Sequence, residues 1–260
     1  MRLFEFGDLK EMPSLYHLYL RRYLVFFYKV FGYYKLWVPA FSDFLEETKA
    51  EKIMECCSGA GEALELLESQ LDSTQFNSVH YLLSDIQPRF EFVSKFNLEK
   101  EGRFHYIAES VDVTQLKVDL DCPKVFINSF HHFSQPQVEN IFKSVLGNGN
   151  EILILEYVRN SLLGYLSMLM GPIVVLLTLP FVVKPKHFPI MALFTYLVPL
   201  FPLMVLWDGM VSCMHEYNAK QLRGIATGLG MEVTVKSSVT RSLFYPAGVS
   251  AIVIMNADCQ

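Results

Sequence analysis

An open α/β fold, a mostly parallel sheet with helices on its faces, is what the 260 residues predict, and three observations carry that expectation. Ile53-Met-Glu-Cys-Cys-Ser-Gly-Ala-Gly-Glu-Ala-Leu64 reads as a buried strand that runs through a glycine turn into a helix. Further apolar runs follow it, Val79 to Asp85, His105 to Ala108 and Lys124 to Phe133, and each closes on or runs into polar residues. Glu151 to Tyr157 is almost wholly apolar, as a strand covered on both faces has to be.

In chain order, residues 13 to 42 interleave Tyr, Phe and Leu with Arg21, Arg22, Lys29 and Lys35, and hold no acid before Asp43. The pattern predicts one or two helices broken near Gly32. Two placements stay open and are compatible: a basic, aromatic helix against anionic headgroups, or a helix capping the sheet edge with its arginines in water. Phe41 to Ala50 is predicted helical, with Ser42 as N-cap and Asp43, Glu46 and Glu47 in the first turns.

Lys52 to Cys56 supplies the first strand, and Glu62 to Leu71 is rich in helix formers. Gly59 and Gly61 let the backbone turn sharply and let a ligand approach closely, in front of unpaired helix N–H groups. Such a turn holds a dinucleotide, a nucleoside or nothing. A dinucleotide fingerprint wants a third glycine, and Leu64 stands there instead. Asp85 lies as far beyond the glycines as nucleoside-binding folds place the carboxylate that holds ribose hydroxyls; its alternative is the N-cap of a helix starting near Pro88. Glu109 to Thr114 forms a polar turn after the third strand, with Asp112 either a ligand group or an ordinary turn residue. The fourth strand ends on Asn128, Ser129, His131 and His132, at the carboxyl edge where open α/β sheets collect catalytic groups.

These pieces resemble class I S-adenosylmethionine-dependent methyltransferases over roughly residues 45 to 157. Glu55-x-x-x-Gly59-x-Gly61 is similar to their first motif, with Cys57 where many members have a further glycine. Asn128-Ser-Phe-His-His-Phe133 is similar to the fourth motif of small-molecule methyltransferases, which often carries paired histidines. The resemblance implies a Rossmann-like, seven-stranded methyltransferase sheet flanked by helices. A helix over Asn218 to Leu229 and an antiparallel pair, Met231 to Ser237 with Val249 to Asn256 about a Phe244 to Gly248 turn, would complete it. It also implies S-adenosyl-L-methionine as cofactor, held by Glu55, Cys57, Ser58, Gly59, Gly61, Asp85, Ile86, Asp112, Val113 and Asn128. His131 or His132 would take the acceptor's proton, histidine titrating near neutrality, or would only hydrogen-bond at the strand end. A carbon acceptor would turn instead to Glu156 or Tyr157.

Hydrophobic content of 52% and a mean hydropathy of +0.26 predict apolar surface that meets lipid or a greasy ligand. A net charge of -5 argues against nucleic acid as partner. Cysteines 56, 57, 122, 213 and 259 show no metal-ligand spacing, so no metal is expected, and their odd, scattered set fits a reducing compartment. Met1 to Pro13 carries Glu5, Asp8, Lys10 and Glu11 and does not read as a secretory leader.

Residues 161 to 183 and 188 to 207 contain no charge, and each run is long enough to cross a bilayer core. Lys184-Pro-Lys-His187 joins them as a tight turn, so the pair predicts a hairpin inserted after the fifth strand. It spans, re-enters or lies on the bilayer, or packs as a lid. Spanning would leave Lys184 and Lys186 on the far side, against the positive-inside tendency, and prolines 172, 180, 189, 199 and 202 are expected to interrupt the helices. Trp207 closes the insertion at the interface; Asp208, His215 and Glu216 either line a pocket mouth or cap and solvate. The expected division is 1–44, 45–160, 161–208 and 209–260. The expected function is a membrane-associated methyltransferase, its catalytic part facing the cytoplasm, acting on a small hydrophobic or lipid-like acceptor. The alternatives are a non-catalytic, membrane-bound nucleoside sensor or scaffold, and an NAD(P)-dependent oxidoreductase, which Leu64 disfavours.

Overall fold

Every residue of β1 (Lys52–Cys56) except Lys52 is buried, which is the pattern of a strand without a solvent face. In the computed structural model, which describes residues 2–71, 76, 78–99, 102–116 and 121–257, β1 is the middle of a parallel block. The other strands are β2 (His80–Ser84), β3 (Phe104–Tyr106), β4 (Lys124–Ile127), β5 (Ile152–Glu156), β6 (Val233–Ser242) and β7 (Tyr245–Asn256). Their order is β3-β2-β1-β4-β5-β7-β6, with the first five parallel and β7 antiparallel to β5. Cys259 lies outside the described residues. Two compact units divide the chain: Met1–Tyr33, Val158–Glu216 and Arg241–Gly248 form one, and Tyr34–Tyr157, Tyr217–Thr240 and Val249–Gln260 the other.

The helices are α1 (Ser14–Phe31), α2 (Tyr33–Thr48), α3 (Glu62–Glu68), α4 (Phe90–Ser94), α5 (Gln135–Val145), α6 (Leu162–Val182), α7 (Phe188–Ala192), α8 (Leu200–His215) and α9 (Ala219–Gly228). In the sheet unit, α5 buries Val138, Ile141, Phe142 and Val145, one face at i, i+3, i+4 and i+7, against Phe126, Ile154 and Ile252. Reciprocal Ser134–Gln137 and Asn218–Gln221 capping boxes start α5 and α9. The helix expected from Phe41 begins earlier, at Tyr33, and Ser42 lies inside it rather than at its cap. Gly32, at φ 62°, ends α1 in the left-handed conformation, and α2 begins at the next residue. Pro39 is tolerated because Trp37, Phe41, Phe44 and Leu45 form a buried stripe whose packing outweighs one lost hydrogen bond. The predicted Phe244 to Gly248 turn is shorter as well: strand alternation resumes at Tyr245, which is buried, leaving Leu243 and Phe244 as the exposed turn.

In the helical unit, α6 runs unbroken through Pro172 and Pro180, where the sequence led us to expect interruption. Pro180 has no N–H to offer the carbonyl of Leu176, and the Tyr196 hydroxyl donates to that carbonyl at 2.9 Å. The second arm does break: the segments Pro185–Leu197 and Leu200–His215 meet at a 72° bend. Tyr16, Tyr19 and Tyr23 of α1 pack with Val175, Leu179, Val182, Met191 and Phe201 as the core of this unit. α8 lies along α6, Gly209 against Met168, where a Cβ would stand 2.8 Å from the sulfur.

Candidate active site

The sheet reverses its winding between β1 and β4, the topological switch point at which open α/β folds bind ligands beyond the strand ends. Register brings those ends level. Cys56 pairs with Ser84 on β2 and with Phe126 on β4, and Ile127 pairs with Leu155 on β5. Cys57, Asp85 and Asn128 therefore leave the sheet along one edge.

The turn after β1 has left-handed backbone at alternate residues: φ is 60° at Cys57, 54° at Gly59 and 70° at Gly61. Ser58 staples it to β2, its N–H donating to Ser84 O at 2.9 Å and its hydroxyl to Glu55 O at 2.9 Å. Gly59 N–H donates to Asp85 Oδ2 at 2.9 Å, and Gly59 O accepts from the Tyr106 hydroxyl at 2.8 Å. The two glycines differ in what a side chain would meet. At Gly61 a Cβ would stand 2.3 Å from Leu83, whereas at Gly59 nothing lies within 4 Å. Gly61 packs the turn, and Gly59 opens onto space that a ligand can enter.

Cys57 holds the conformation a glycine would hold, and for an L-residue that costs about 1–2 kcal/mol. Cys57→Gly is therefore expected to be neutral or to stabilise by up to about 1 kcal/mol, the relief being partly offset by added freedom of the unfolded chain. Cys57→Val, branched at Cβ, is expected to lose about 2 kcal/mol in thermal or urea denaturation. Burial pushes the Cys57 thiol well above its usual range and that of Cys56 up to about 12, so neither is a thiolate nucleophile.

Glu55, at 2% exposure, is pushed up to about 8 by burial, with Ser58 opposing and Asp85 adding to the shift. Its Oε2 has no hydrogen-bond partner, and neither has the buried Ser129 hydroxyl at the end of β4. Unpaired buried polar atoms at two strand ends are what a bound ligand with hydrogen-bonding groups satisfies. Asp85 does not cap a helix at Pro88, since α4 starts at Phe90 behind Arg89; its carboxylate accepts from Gly59 N–H and, at 2.8 Å, Gln87 N–H. Ile86 beside it is exposed. Asp112 caps a short turn, its Oδ1 accepting from the N–H and hydroxyl of Thr114, while the side chain of Val113 is buried in the core.

The turn after β4 is left-handed at Asn128, φ 49°, whose Oδ1 accepts from Tyr157 N–H at 3.4 Å. Glu156, the last residue of β5, is buried and reaches this turn. It accepts from the N–H groups of Phe130 at 2.8 Å and His131 at 3.2 Å and bonds His131 Nδ1 at 2.8 Å. A carboxylate on Nδ1 keeps the proton there and puts the lone pair on Nε2, the tautomer of a general base. His132 is exposed, its ring centroid 4.3 Å from that of His131.

Sequence reasoning treated Glu156 as a base for carbon acceptors and missed that it positions His131. The signal was a lone acid closing an all-apolar strand. Tyr106, which ties the glycine turn to β3, gave no motif signal. Asp208 accepts from Phe6 N–H, Gly7 N–H and the Tyr16 hydroxyl; His215 lies 3.6 Å from Glu5, and Glu216 accepts from Asn160 N–H, all within the helical unit.

A third glycine would stand at Leu64, which is wholly buried, and Glu62 and Glu65 occupy the first turn of the seven-residue α3. Acids there repel a pyrophosphate.

No protein-family model and no curated protein matches the sequence. Solved structures do match. The pyocyanin biosynthetic protein PhzM is similar at 11% identity and a TM-score of 0.53, over 93% of this chain and 62% of that one. Human N-acetylserotonin methyltransferase in complex with SAM is similar at 13% identity and a TM-score of 0.52, over 96% of this chain and 61% of that one. The methyltransferase domain of bacterial CtHen1-C matches at 10% identity and a TM-score of 0.50, over 84% of this chain and 96% of that one. This chain thus spans about three fifths of the length of the first two. At these identities the likeness is one of fold, and the fold of this chain is that of the class I S-adenosylmethionine-dependent methyltransferases.

Proposed function

We propose that the protein is a membrane-associated S-adenosylmethionine-dependent methyltransferase acting on a small hydrophobic or lipid-like acceptor, its sheet unit facing the cytoplasm. The observation that carries the cofactor is the turn at the switch point, open above Gly59 and backed by Glu55, whose Oε2 has no hydrogen-bond partner. When bound, the cofactor supplies an electrophilic methyl group on a sulfonium. Gly59 lets its backbone approach that ligand, Glu55 faces a cationic group, and Asp85 and Asp112 take the ribose and the adenine. His131, oriented by Glu156, receives the acceptor's proton at Nε2. Positioning and water exclusion do the rest, together worth roughly 7–11 kcal/mol at best.

The acceptor class rests on α6, whose 21 residues have a mean hydropathy of 2.1 and are largely exposed. A degenerate scaffold is disfavoured because Cys57 preserves the turn, and a nicotinamide enzyme because of Leu64 and the acids of α3.

Calorimetry on the detergent-purified full chain tests the reading. S-adenosylmethionine and S-adenosylhomocysteine are expected to bind and NADH not to, with Asp85→Ala weakening binding roughly 10- to 100-fold, the worth of hydrogen bonds to a charged group. The Glu55 carboxyl, protonated below about pH 8 in the free protein, has to lose its proton to meet a cation. Affinity should therefore rise with pH, by at most about tenfold per unit, and level off above that value; Glu55→Gln should flatten the profile. Binding of NADH alone, or of none of the three, overturns the proposal.

A further inference from the structure

The exposed and packed residues of α6 fall on opposite sides. Leu162, Leu166, Met170, Ile173, Leu177 and Phe181 are all exposed and repeat every three or four residues, so they share one face, roughly 28 Å long at 1.5 Å per residue. Val175, Leu179 and Val182 point the other way and are buried. The packed side is covered by α1 over its C-terminal half and by α8 alongside Met168. The Tyr23 hydroxyl donates to Val175 O near the middle of α6, the Tyr19 hydroxyl accepts from Lys184 N–H at its end, and the Tyr16 hydroxyl donates to Asp208. Asp208 adjoins Gly209, which packs on Met168. Polar groups thus accompany the packed side from Met168 to Lys184.

A helix standing across a bilayer meets lipid at every depth and tolerates charge at its centre badly. Were α6 to stand that way, α1 would be carried in with it, and Arg21 and Arg22 lie in sequence between Tyr19, at the end of α6, and Tyr23, near its middle. Laid flat, the same helix gives lipid only its apolar face. The second arm continues that apolar surface on both sides of its 72° bend, with Ile190, Phe194 and Leu197 exposed before it and Leu203 after it. Lys184 and Lys186, both exposed at the turn, complement anionic headgroups and have stems long enough to reach them.

We infer that α6 and the broken second arm lie in the plane of one leaflet of an anionic bilayer, apolar face among the acyl chains, and do not cross it. Segments that lie this way sit about 5–10 Å below the headgroup boundary. The inference rests on the membrane association proposed above, and its test separates the two.

The full chain is added to sealed vesicles of phosphatidylcholine with an anionic phospholipid. Flotation reports association; its absence overturns the membrane reading and this inference with it. With association established, depth decides. In a Trp207→Phe background, Leu166→Trp, Ile173→Trp and Phe181→Trp report quenching by lipids brominated either near the carbonyl or near the methyl end of the chain; Trp37 is buried and adds a constant signal. Equal quenching of all three, strongest with the shallow bromine, is expected. Strongest quenching of the Ile173 reporter by the deep bromine overturns the in-plane placement while leaving association intact. The unsubstituted protein gives an independent readout: Lys184 and Lys186 should react with a membrane-impermeant amine reagent added outside, as Lys236 does, and their protection overturns the inference.

Discussion

Gly61→Ala is expected to cost about 3 kcal/mol or more, whereas Gly59→Ala, two residues away, should fold and fail to bind. At Gly61 the added methyl would stand 2.3 Å from Leu83 and 2.6 Å from the ring of Phe96. Both are wholly buried and have nowhere to withdraw. Overpacking of that kind costs about 1–3 kcal/mol and the left-handed backbone about 1–2 more. The melting temperature should fall by roughly 10 °C. Gly59→Ala carries the backbone cost alone, since nothing lies within 4 Å of its Cβ. Its methyl would occupy the space through which a nucleoside reaches the turn, so S-adenosylhomocysteine affinity should drop about 100-fold, or roughly 2.7 kcal/mol. Calorimetry and thermal denaturation on the two variants check this, and a Gly59→Ala protein that binds normally would remove the glycine turn from the site.

Glu156→Ala should be as damaging to the fold, and Glu156→Gln more damaging to catalysis than to the fold. The buried carboxylate serves two backbone N–H groups and His131 Nδ1. Its loss strands three buried donors and should cost about 3 kcal/mol or more, at about 1–3 kcal/mol for each one left unpaired. Glutamine keeps an oxygen for the backbone donors but turns an NH2 towards the imidazole, which then has to accept at Nδ1 and carry its proton on Nε2. That tautomer cannot remove a proton. With S-adenosylhomocysteine binding unchanged, transfer of a radiolabelled methyl group into lipid extracts should fall by about 10²–10⁴-fold, the worth of a positioned general base. Full activity in Glu156→Gln would reduce the Glu156–His131 contact to scaffolding and move proton removal elsewhere.

Much of this was legible in the sequence because it is local. Strand periodicity, the turn chemistry of Ser58 to Gly61, and the run of apolar residues ending on Glu156 depend on neighbours a few positions away, and β1 occupies the predicted residues, Lys52 to Cys56. Helix limits were less legible wherever packing outweighed a local rule. Pro39 did not stop α2 because a buried aromatic stripe held it, and Pro180 did not stop α6 because Tyr196, sixteen residues on, met the freed carbonyl.

By itself, then, the sequence determined the α/β class, the strands and their order in the chain, the glycine turn, and the existence of an apolar hairpin, since each follows from composition and spacing within a short window. The tertiary structure decided what depends on distance in space. Gly61 packs while Gly59 stays open, since only the fold brings Phe96 against one of them. Glu156 orients His131, 25 residues away in the chain, because parallel pairing puts the ends of β4 and β5 side by side. Residues 1–33 join 158–216 in one unit, and α6 has one packed face and one bare face because α1 and α8 cover only the first. Sequence periodicity could not reveal that division, since α6 is apolar all round and only the partner it packs against distinguishes its sides.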